Sequence, residues 1–216
     1  MFEARRARRA AARYREALDA WQRERDQQAA AVTLAQQFAG EPTSELVLRD
    51  GEALFATVTN AGLVELRRGP GRWQGGSSGV SIPVGTLGGR TIRYHVGATR
   101  GHYVAGTPHP SAVDQGTLFI TNQRVVFAGA SQTRECQFAK LLGYQHPGDG
   151  QTTLSVSNRQ HPVTVSYGRA LDGWVQLRLD LALAHYRHQV PALVERLRAE
   201  LAAIEAAKPA PPPAPS

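Results

Sequence analysis

The stretch Asp114–Gly129, DQGTLFITNQRVVFAG, is the most strongly patterned part of the chain. Successive side chains of a strand point to opposite faces, so a strand that is apolar at every position buries both of its faces. Apolar residues follow one another here on both sides of a polar turn, at Leu118, Phe119 and Ile120 and again at Val125, Val126 and Phe127. The stretch therefore predicts a β-hairpin in the centre of a hydrophobic core.

The turn of this hairpin consists of Asn122 and Gln123, bracketed by Thr121 and Arg124. Asparagine suits a turn because it tolerates a positive φ. We expect Thr121 and Arg124 to lock the turn, with Arg124 pairing with a carboxylate or with backbone carbonyls at the edge of a barrel. Thr121, Asn122 and Arg124 are thus interpreted as scaffold residues rather than as a ligand site.

Short strands are predicted from Thr43 to Gly168, where runs rich in Val, Thr, Phe, Tyr and Leu are separated by Gly, Asn, Asp and Pro. The runs are ALFATVTNAGLVELRRG, RTIRYHVG, GTLFITNQRVVFAG, RECQFAKLLGYQ, TTLSVSN and HPVTVSYG. The intervals leave no room for crossover helices, so the sheet is predicted to be antiparallel. A Gly-rich insertion at 69–89 interrupts the series, and a loop of this length in a compact β domain is either disordered or functional.

Residues 1–39 predict a basic amphipathic helix, because they are rich in Ala, Arg, Glu and Gln. One stripe recurs at alternating steps of four and three, the spacing of a coiled coil, at Ala7, Ala11, Tyr14, Leu18, Trp21, Arg25, Gln28 and Val32. Only the middle of the stripe, Tyr14, Leu18 and Trp21, is strongly apolar, and such a helix is marginal in water by itself. We expect this face to pack on the C-terminal helix or on another chain.

The residues after the short strands carry two patterns. Trp174–Leu181, WVQLRLDL, alternates apolar and polar residues with period two, which predicts a last strand and ends a β domain that spans 40–179. Residues 180–207 predict a C-terminal helix, which Pro191 is expected to kink or restart because proline lacks an N–H donor. Its apolar stripe is Leu193, Leu197, Leu201 and Ile204. Residues 208–216, KPAPPPAPS, predict a disordered Pro-rich tail.

The hairpin also resembles a known family. GTLFITNQRVVFAG is similar to the G-x-L-x-I-T-x-x-R-hydrophobic-x-F hairpin of GRAM and bacterial PH-like domains, and CQFAKLLGYQ resembles the strand that follows it. The similarity covers residues 116–145, is looser to residue 168 and leaves out the helical ends. It implies a mainly β fold with flanking helices (α+β), in which a bent seven-stranded antiparallel barrel is capped by a C-terminal helix. It also implies a module that binds lipids, peptides or proteins.

The chain of 216 residues has a formal net charge of +7, which permits an acidic partner. The alternative is compositional bias, because lysine occurs only at Lys140 and Lys208 whereas Arg and Ala are abundant, as a GC-rich genome produces. No apolar run reaches membrane-spanning length, and charges stand where a signal peptide would be apolar. We therefore expect a cytoplasmic protein whose contact with a membrane, where it occurs, is peripheral.

Catalytic and metal motifs do not fit their contexts. Gly75, Ser77 and Gly79 match G-x-S-x-G, but a nucleophile elbow needs a strand before the serine and a helix after it. His95, His102 and His109 recur at sevens, which places successive rings on opposite faces of a strand. Cys136 has no companion for a disulfide or a thiolate zinc site, and we expect it to be a small buried strand residue. We expect a non-catalytic protein without a metal site or a cofactor.

Arginines and one tryptophan concentrate in and beside the Gly-rich insertion: Arg67, Arg68, Arg72, Trp73, Arg90, Arg93 and Arg100. One interpretation is a site for an anionic surface, in which the guanidinium groups bind phosphate and Trp73 is an interfacial or stacking anchor. The other is a solvated strand edge that is protected by charge, with Trp73 folded back over the barrel.

Two functions from different classes remain. In the first, the protein is an adaptor module that binds an anionic lipid surface peripherally through these arginines. In the second, it is a protein-interaction or assembly module whose end helices dock a partner or associate with a second copy. Nucleic-acid binding ranks third, because base stacking favours several aromatic residues on one basic face and only Trp73 is found there.

Overall fold

A computed structural model describes residues 2–68, 72–87, 90–104 and 107–212 of the chain. It divides into two compact units, one made of Met1–Leu63 and Asp114–Ser216 and the other of Val64–Val113. The helices are α1 (Phe2–Gln37), α2 (Asp172–Tyr186) and α3 (Val190–Ala206). The strands are β1 (Leu54–Arg68), β2 (Arg72–Leu87), β3 (Arg90–Val104), β4 (Pro108–Thr121), β5 (Arg124–Gly129), β6 (Thr133–Gln137), β7 (Leu141–Gln145), β8 (Gln151–Val156) and β9 (Val163–Ser166). Within the described chain, no helix has both the length and the apolar character needed to cross a bilayer.

Seven strands form one antiparallel sheet in the order β6-β5-β4-β1-β9-β8-β7, which confirms the predicted α+β class. The two edge strands, β6 and β7, are joined by the three residues Phe138–Lys140. A flat sheet of seven strands would hold its edges about 29 Å apart, whereas this link spans at most about 14 Å. The sheet is therefore strongly bent.

The sheet is nevertheless open, which corrects the expectation of a closed barrel. At the corner between the edge strands, the backbone forms its hydrogen bonds with other parts of the sheet. Phe138 N donates to Gln123 O at 2.9 Å, and Ser157 N donates to Lys140 O at 2.8 Å. Because the chain turns there from one edge into the other, β6 has β5 and β7 has β8 as its sole neighbour among the strands that the structure describes.

The hairpin of the quoted stretch is β4 and β5, paired from Gly116 opposite Gly129 to Ile120 opposite Val125. Its turn lies where the sequence predicts it. The six large apolar residues beside the turn are buried, which confirms the predicted central position: Leu118, Phe119, Ile120, Val125, Val126 and Phe127. Gly116 is required at the end of the hairpin that is farthest from the turn, because a Cβ there would lie 2.0 Å from the carbonyl oxygen of Ala128. The predicted burial of Cys136 in a strand is also confirmed.

The second unit contains an antiparallel ribbon of β2 and β3, paired from Arg72 opposite Val104 to Leu87 opposite Arg90. The Gly-rich insertion is thus mostly a strand, and its interpretation as a loop is wrong for Arg72–Leu87. Gly and Pro are depleted in strands, so the local strand propensity of this segment would not predict this result. The partner strand β3, which carries Thr, Ile, Tyr and Val, supplies the backbone pairing that propensity does not reveal.

Helix α2 corrects the prediction of a last strand at Trp174–Leu181, because these residues are helical from Asp172 onward. Over eight residues, an alternating pattern is also compatible with a helix that is buried on more than one face. Val175, Leu179 and Leu183 recur at the helical step of four and are buried, as are the neighbouring Leu181, Ala182 and Ala184.

A new helix, α3, begins with Pro191 in its first turn, and this restart is one of the two outcomes predicted for this proline. His188, in the break between α2 and α3, has a φ of 56°, so the helices are separate rather than kinked. The predicted stripe faces inward at Leu193 and Leu197, which are both buried. At the other end of the chain, the predicted helix of residues 1–39 is confirmed as Phe2–Gln37, and Gly40 follows it with a φ of 99°.

We predict that Phe127→Ala lowers the free energy of unfolding by about 3–5 kcal/mol, because the ring is only 1% exposed and its removal leaves a cavity. Denaturant unfolding of both proteins measures the difference. The control is Leu142→Ala, whose side chain is 74% exposed and whose loss should cost under about 0.5 kcal/mol. A cost below about 1 kcal/mol for Phe127→Ala contradicts a central hairpin.

Candidate functional site

The turn residues of the central hairpin hold a buried ion pair. Arg124 Nε donates to Glu52 Oε1 at 2.8 Å and Arg124 Nη2 donates to Glu52 Oε2 at 3.0 Å, a bidentate arrangement. The same guanidinium donates to Glu135 Oε2 at 3.0 Å and to the carbonyl oxygen of Val47 at 2.8 Å. Arg124 thus pairs both with carboxylates and with a carbonyl, as the sequence predicts.

Thr121 closes the turn through its hydroxyl group. Thr121 Oγ1 donates to Glu52 Oε1 at 2.6 Å and accepts from the backbone N–H groups of Gln123 at 3.2 Å and Arg124 at 3.0 Å. The backbone N–H of Arg49 also donates a hydrogen bond of 2.7 Å to Glu52 Oε2. Glu52 has no distinctive sequence signal, since it is one acidic residue in a polar loop, and sequence reasoning missed it.

Asn122 acts differently from the prediction, because its φ is not among the positive values of the described residues. Its side chain bridges to the segment before β1 instead. Oδ1 accepts from Ala53 N at 2.9 Å, and Nδ2 donates to Gly51 O at 3.0 Å. The residue therefore ties the turn to the start of a neighbouring strand.

The electrostatics of the turn favour the ionised state of Glu52. Burial opposes the charge, but hydrogen bonds from Arg124, Thr121 and the Arg49 backbone outweigh it, and the pKa of the carboxyl lies below its ordinary value of 4.5. The hydrogen bonds and charge of Glu52 in turn raise the pKa of Arg124. The pair is therefore fully charged near neutral pH.

A second polar cluster joins strands β7 to β9 with the C-terminal helices. Thr152 Oγ1 lies 2.7 Å from the Tyr167 hydroxyl and 2.8 Å from His146 Nδ1, while Tyr144 donates to Asp180. Burial lowers the pKa of His146, which is the shift of a ring that stays neutral. Among the described residues, no group of three or more His, Cys, Asp or Glu side chains is placed to hold a metal ion. We interpret this cluster as a support for the helices.

Helix α1 packs antiparallel on α3. Trp21 Nε1 donates to the carbonyl oxygen of Ile204 at 2.7 Å, and Gln28 Nε2 donates to the carbonyl oxygen of Leu197 at 3.1 Å. The prediction that this helix packs on the C-terminal helix is confirmed at Trp21. Tyr14 and Leu18 are half-buried on the same stripe.

The predicted anionic-surface residues all belong to the second unit, but the strand register spreads them along the ribbon. Arg72 begins β2, Arg100 lies opposite Gly76, Arg93 opposite Pro83 and Arg90 opposite Leu87. At about 3.3 Å per residue, Arg72 and Arg90 are roughly 50 Å apart along the strand direction. Arg67 and Arg68 end β1, and the side chains of Arg67 and Arg72 are exposed. The side chains of Arg68, Trp73, Arg90, Arg93 and Arg100 lie outside the described residues.

The two units differ in net charge. The second unit, Val64–Val113, contains six arginines and one glutamate in 50 residues, which gives five of the seven net positive charges. The first unit, of 166 residues, keeps 19 of the 25 basic residues and 17 of the 18 acidic ones. Arginine is common in both units, so what distinguishes the second is the scarcity of acidic residues.

We predict that Arg124→Met lowers the free energy of unfolding by about 3–5 kcal/mol, because it leaves Glu52 charged and buried without a partner. The matched control is Arg49→Met, which removes another hydrogen bond to Glu135, of 2.6 Å. The Arg49 side chain is 43% exposed, against 10% for Arg124, so its loss should cost under about 1 kcal/mol. Equal costs in denaturant unfolding contradict a special role for the buried pair.

The depressed pKa of Glu52 predicts how stability depends on pH. Because the folded-state pKa lies below the unfolded-state value, the contribution of this carboxylate is complete above about pH 5 and is lost as the pH falls through the folded-state pKa. The difference in unfolding free energy between the wild type and Glu52→Gln should therefore be largest near about pH 7 and shrink on acidification. A difference that stays constant down to about pH 3 contradicts this assignment.

Comparison of the chain with protein-family models, with curated protein sequences and with solved structures gives no match.

Proposed function

We propose that the protein is a non-catalytic adaptor module and that its Val64–Val113 unit binds an anionic lipid surface peripherally. The observation that carries the proposal is the concentration of charge, with five of the seven net positive charges in 50 residues. Compositional bias alone would distribute the excess over the whole chain. The first unit, however, is close to neutral.

The form of the second unit suits an extended surface better than a single headgroup. A ribbon with arginines at its base, middle and tip presents positive charge over roughly 50 Å. Each arginine near an anionic leaflet contributes about 1 kcal/mol, and charges farther away than about 8 Å are screened at physiological ionic strength. Binding by six arginines is therefore reversible and sensitive to salt. Trp73 adds the amphipathic ring that favours a bilayer interface.

The PH/GRAM-like identity of the first unit is also part of this proposal. It is supported by seven antiparallel strands followed by C-terminal helices, and by the contacts of Thr121 and Arg124 in the hairpin that resembles this family. The open edge between β6 and β7 is the point at which the sheet departs from a closed barrel. In this interpretation the first unit is a scaffold from which strands β1 and β4 lead into and out of the basic ribbon.

We predict that neutralising the ribbon abolishes most vesicle binding. The test measures cosedimentation of the full chain with phosphatidylcholine vesicles and with vesicles that also contain phosphatidylserine, at low and physiological salt. The ribbon variant replaces Arg67, Arg72, Arg90 and Arg93 with Gln, and it should lose about tenfold or more in partitioning onto the anionic vesicles. Neutral vesicles should bind neither protein.

The matched control removes the same charge from the first unit by replacing four exposed arginines with Gln, at Arg23, Arg159, Arg169 and Arg198. Its partitioning should stay within about threefold of the wild type, because these charges are not on the ribbon. Equal losses in the two variants overturn the assignment to the ribbon. Wild-type protein that ignores anionic vesicles at low salt overturns the lipid function, and ribbon-dependent binding of duplex DNA in a parallel titration then favours nucleic acid.

A further inference from the structure

The strand register divides the residues of the β2–β3 ribbon between two faces. Residues directly opposite each other in an antiparallel pair share a face, and successive residues of one strand alternate between the faces. One face contains two neighbouring pairs: Val80 with Val96 and Ile82 with Tyr94. The pair between them, Ser81 with His95, belongs to the other face. A two-stranded ribbon twists along its length, so the faces are assigned for its distal half, from Ser77 to Thr99.

The two faces of the distal half differ in composition. The first, which we call the apolar face, holds six apolar residues beside Ser78 and Gly85: Val80, Ile82, Ile92, Tyr94, Val96 and Ala98. The second, which we call the polar face, holds Ser77, Gly79, Ser81, Pro83, Thr91, Arg93, His95, Gly97 and Thr99. The bulge between Pro83 and Gly85 adds a residue to β2 alone, so β3 keeps its alternation. The distal half is therefore amphipathic.

An amphipathic ribbon needs something to cover its apolar face. Within the described chain, β2 and β3 form a sheet of two strands. A ribbon of two strands is marginal in water by itself, and it becomes stable when its hydrophobic face packs on another surface. Contiguous apolar residues with polar neighbours are typical of an interaction surface. The apolar face is therefore a candidate for one.

Arginines flank this face at both ends. Arg90 and Arg100 fall on the same face as the apolar residues of β3, opposite Leu87 and Gly76. The two arginines are ten residues apart, or about 33 Å along the strand, and the four positions between them on this face are all apolar. Neither strand of the ribbon contains an aspartate or a glutamate. The pattern is thus an apolar block between two cations.

An anionic bilayer is complementary to both parts of this pattern. Its hydrocarbon accepts the apolar block, while its phosphates accept guanidinium groups, which long aliphatic stems allow to reach back to the headgroups. Tyr94 is of the residue type that is enriched at the membrane–water interface. A second copy of the ribbon is a poorer occupant, because it would bring the same arginines against one another without an acidic residue to pair with them.

We propose that the apolar face of the distal half lies on the anionic bilayer, with Arg90 and Arg100 bound to lipid phosphates at its two ends. The inference rests on the proposed function and adds which face of the ribbon meets the lipid. The polar face, with Ser81 and His95, remains in water.

The ribbon lies in the plane of the interface rather than across the bilayer. In hydrocarbon, every backbone N–H and C=O group needs a partner within the protein. A ribbon of two strands leaves the outer edge of each strand without one, and β2 and β3 are the two strands of this sheet in the described chain. At the level of the headgroups, water and phosphate oxygens supply the missing hydrogen bonds. The apolar residues therefore enter only the uppermost part of the acyl region.

We predict that a fluorophore placed along the ribbon reports lipid at every second residue. Single cysteines in the full chain carry nitrobenzoxadiazole, which fluoresces in apolar surroundings, at Ile82, Tyr94 and Val96 of the apolar face and at Ser81, His95 and Thr99 of the polar face. Vesicles that contain phosphatidylserine should raise the emission of the first three labels at least about twofold and leave the others unchanged. A nitroxide near the lipid headgroup should quench the first three more than one deep in the acyl chain.

The native Cys136 does not interfere with this labelling. It is 2% exposed, and burial raises the pKa of its thiol to about 11, so it reacts slowly with a maleimide. The wild-type chain treated in the same way measures the background. A circular dichroism spectrum checks the fold of each labelled chain.

A second measurement uses variants that keep the charge of the ribbon. Replacing Val80, Ile82 and Val96 with Thr retains β-branched side chains but removes apolar surface. This variant should lose about tenfold or more in partitioning onto phosphatidylserine vesicles at physiological salt. The matched control replaces Ser77, Ser81 and His95 of the polar face with Thr, and its partitioning should stay within about threefold of the wild type.

The outcomes separate this inference from the proposed function. Vesicle binding that persists without alternation between the labels, or with equal losses in the two variants, overturns the inference and leaves the proposed function standing. Wild-type protein that ignores anionic vesicles overturns both. Labels on the apolar face that already fluoresce strongly without vesicles show that protein covers this face, and they overturn the inference as well.

Discussion

The buried pair of Arg124 and Glu52 is the interaction on which the first unit depends. A carboxylate inside a protein is tolerated only where donors replace its water, and Glu52 receives them from Arg124, Thr121 and the Arg49 backbone. These contacts join the turn of the central hairpin to the segment that precedes β1. The same guanidinium reaches Glu135 in β6, so one side chain links β5, β6 and the loop before β1.

The pair lies next to the point where the chain enters strand β1. Strand β1 starts two residues after Glu52 and lies between β4 and β9 in the sheet. Towards its N-terminus the chain leads back through Gly40 to α1, and towards its C-terminus it leads into the basic ribbon. The contacts of Glu52 and Asn122 therefore fix the start of β1 within the first unit.

Charge is distributed in a way that the total of +7 conceals. The ribbon unit has almost no acidic residues, the first four turns of α1 are basic, and the rim of the groove between α1, α2 and α3 is acidic. A surface of one sign favours a partner of the opposite sign.

The sequence by itself determined α1, the strands β1, β3, β8 and β9, and the buried hairpin of β4 and β5, because each has a clear periodicity or apolar run. The run CQFAKLLGYQ was predicted as one strand, and the structure divides it between β6 and β7. Within the predicted stripe, Trp21 contacts α3. Tertiary structure decided the rest. The alternation at Trp174–Leu181 suits either a strand or a helix buried on several sides, and only the packing of α2 makes it helical. The Gly-rich first half of β2 has little strand propensity and is a strand through its pairing with β3, while Glu52 has no distinctive sequence signal until folding places it beside Arg124. In each case the deciding interaction joins residues whose pairing no local pattern encodes.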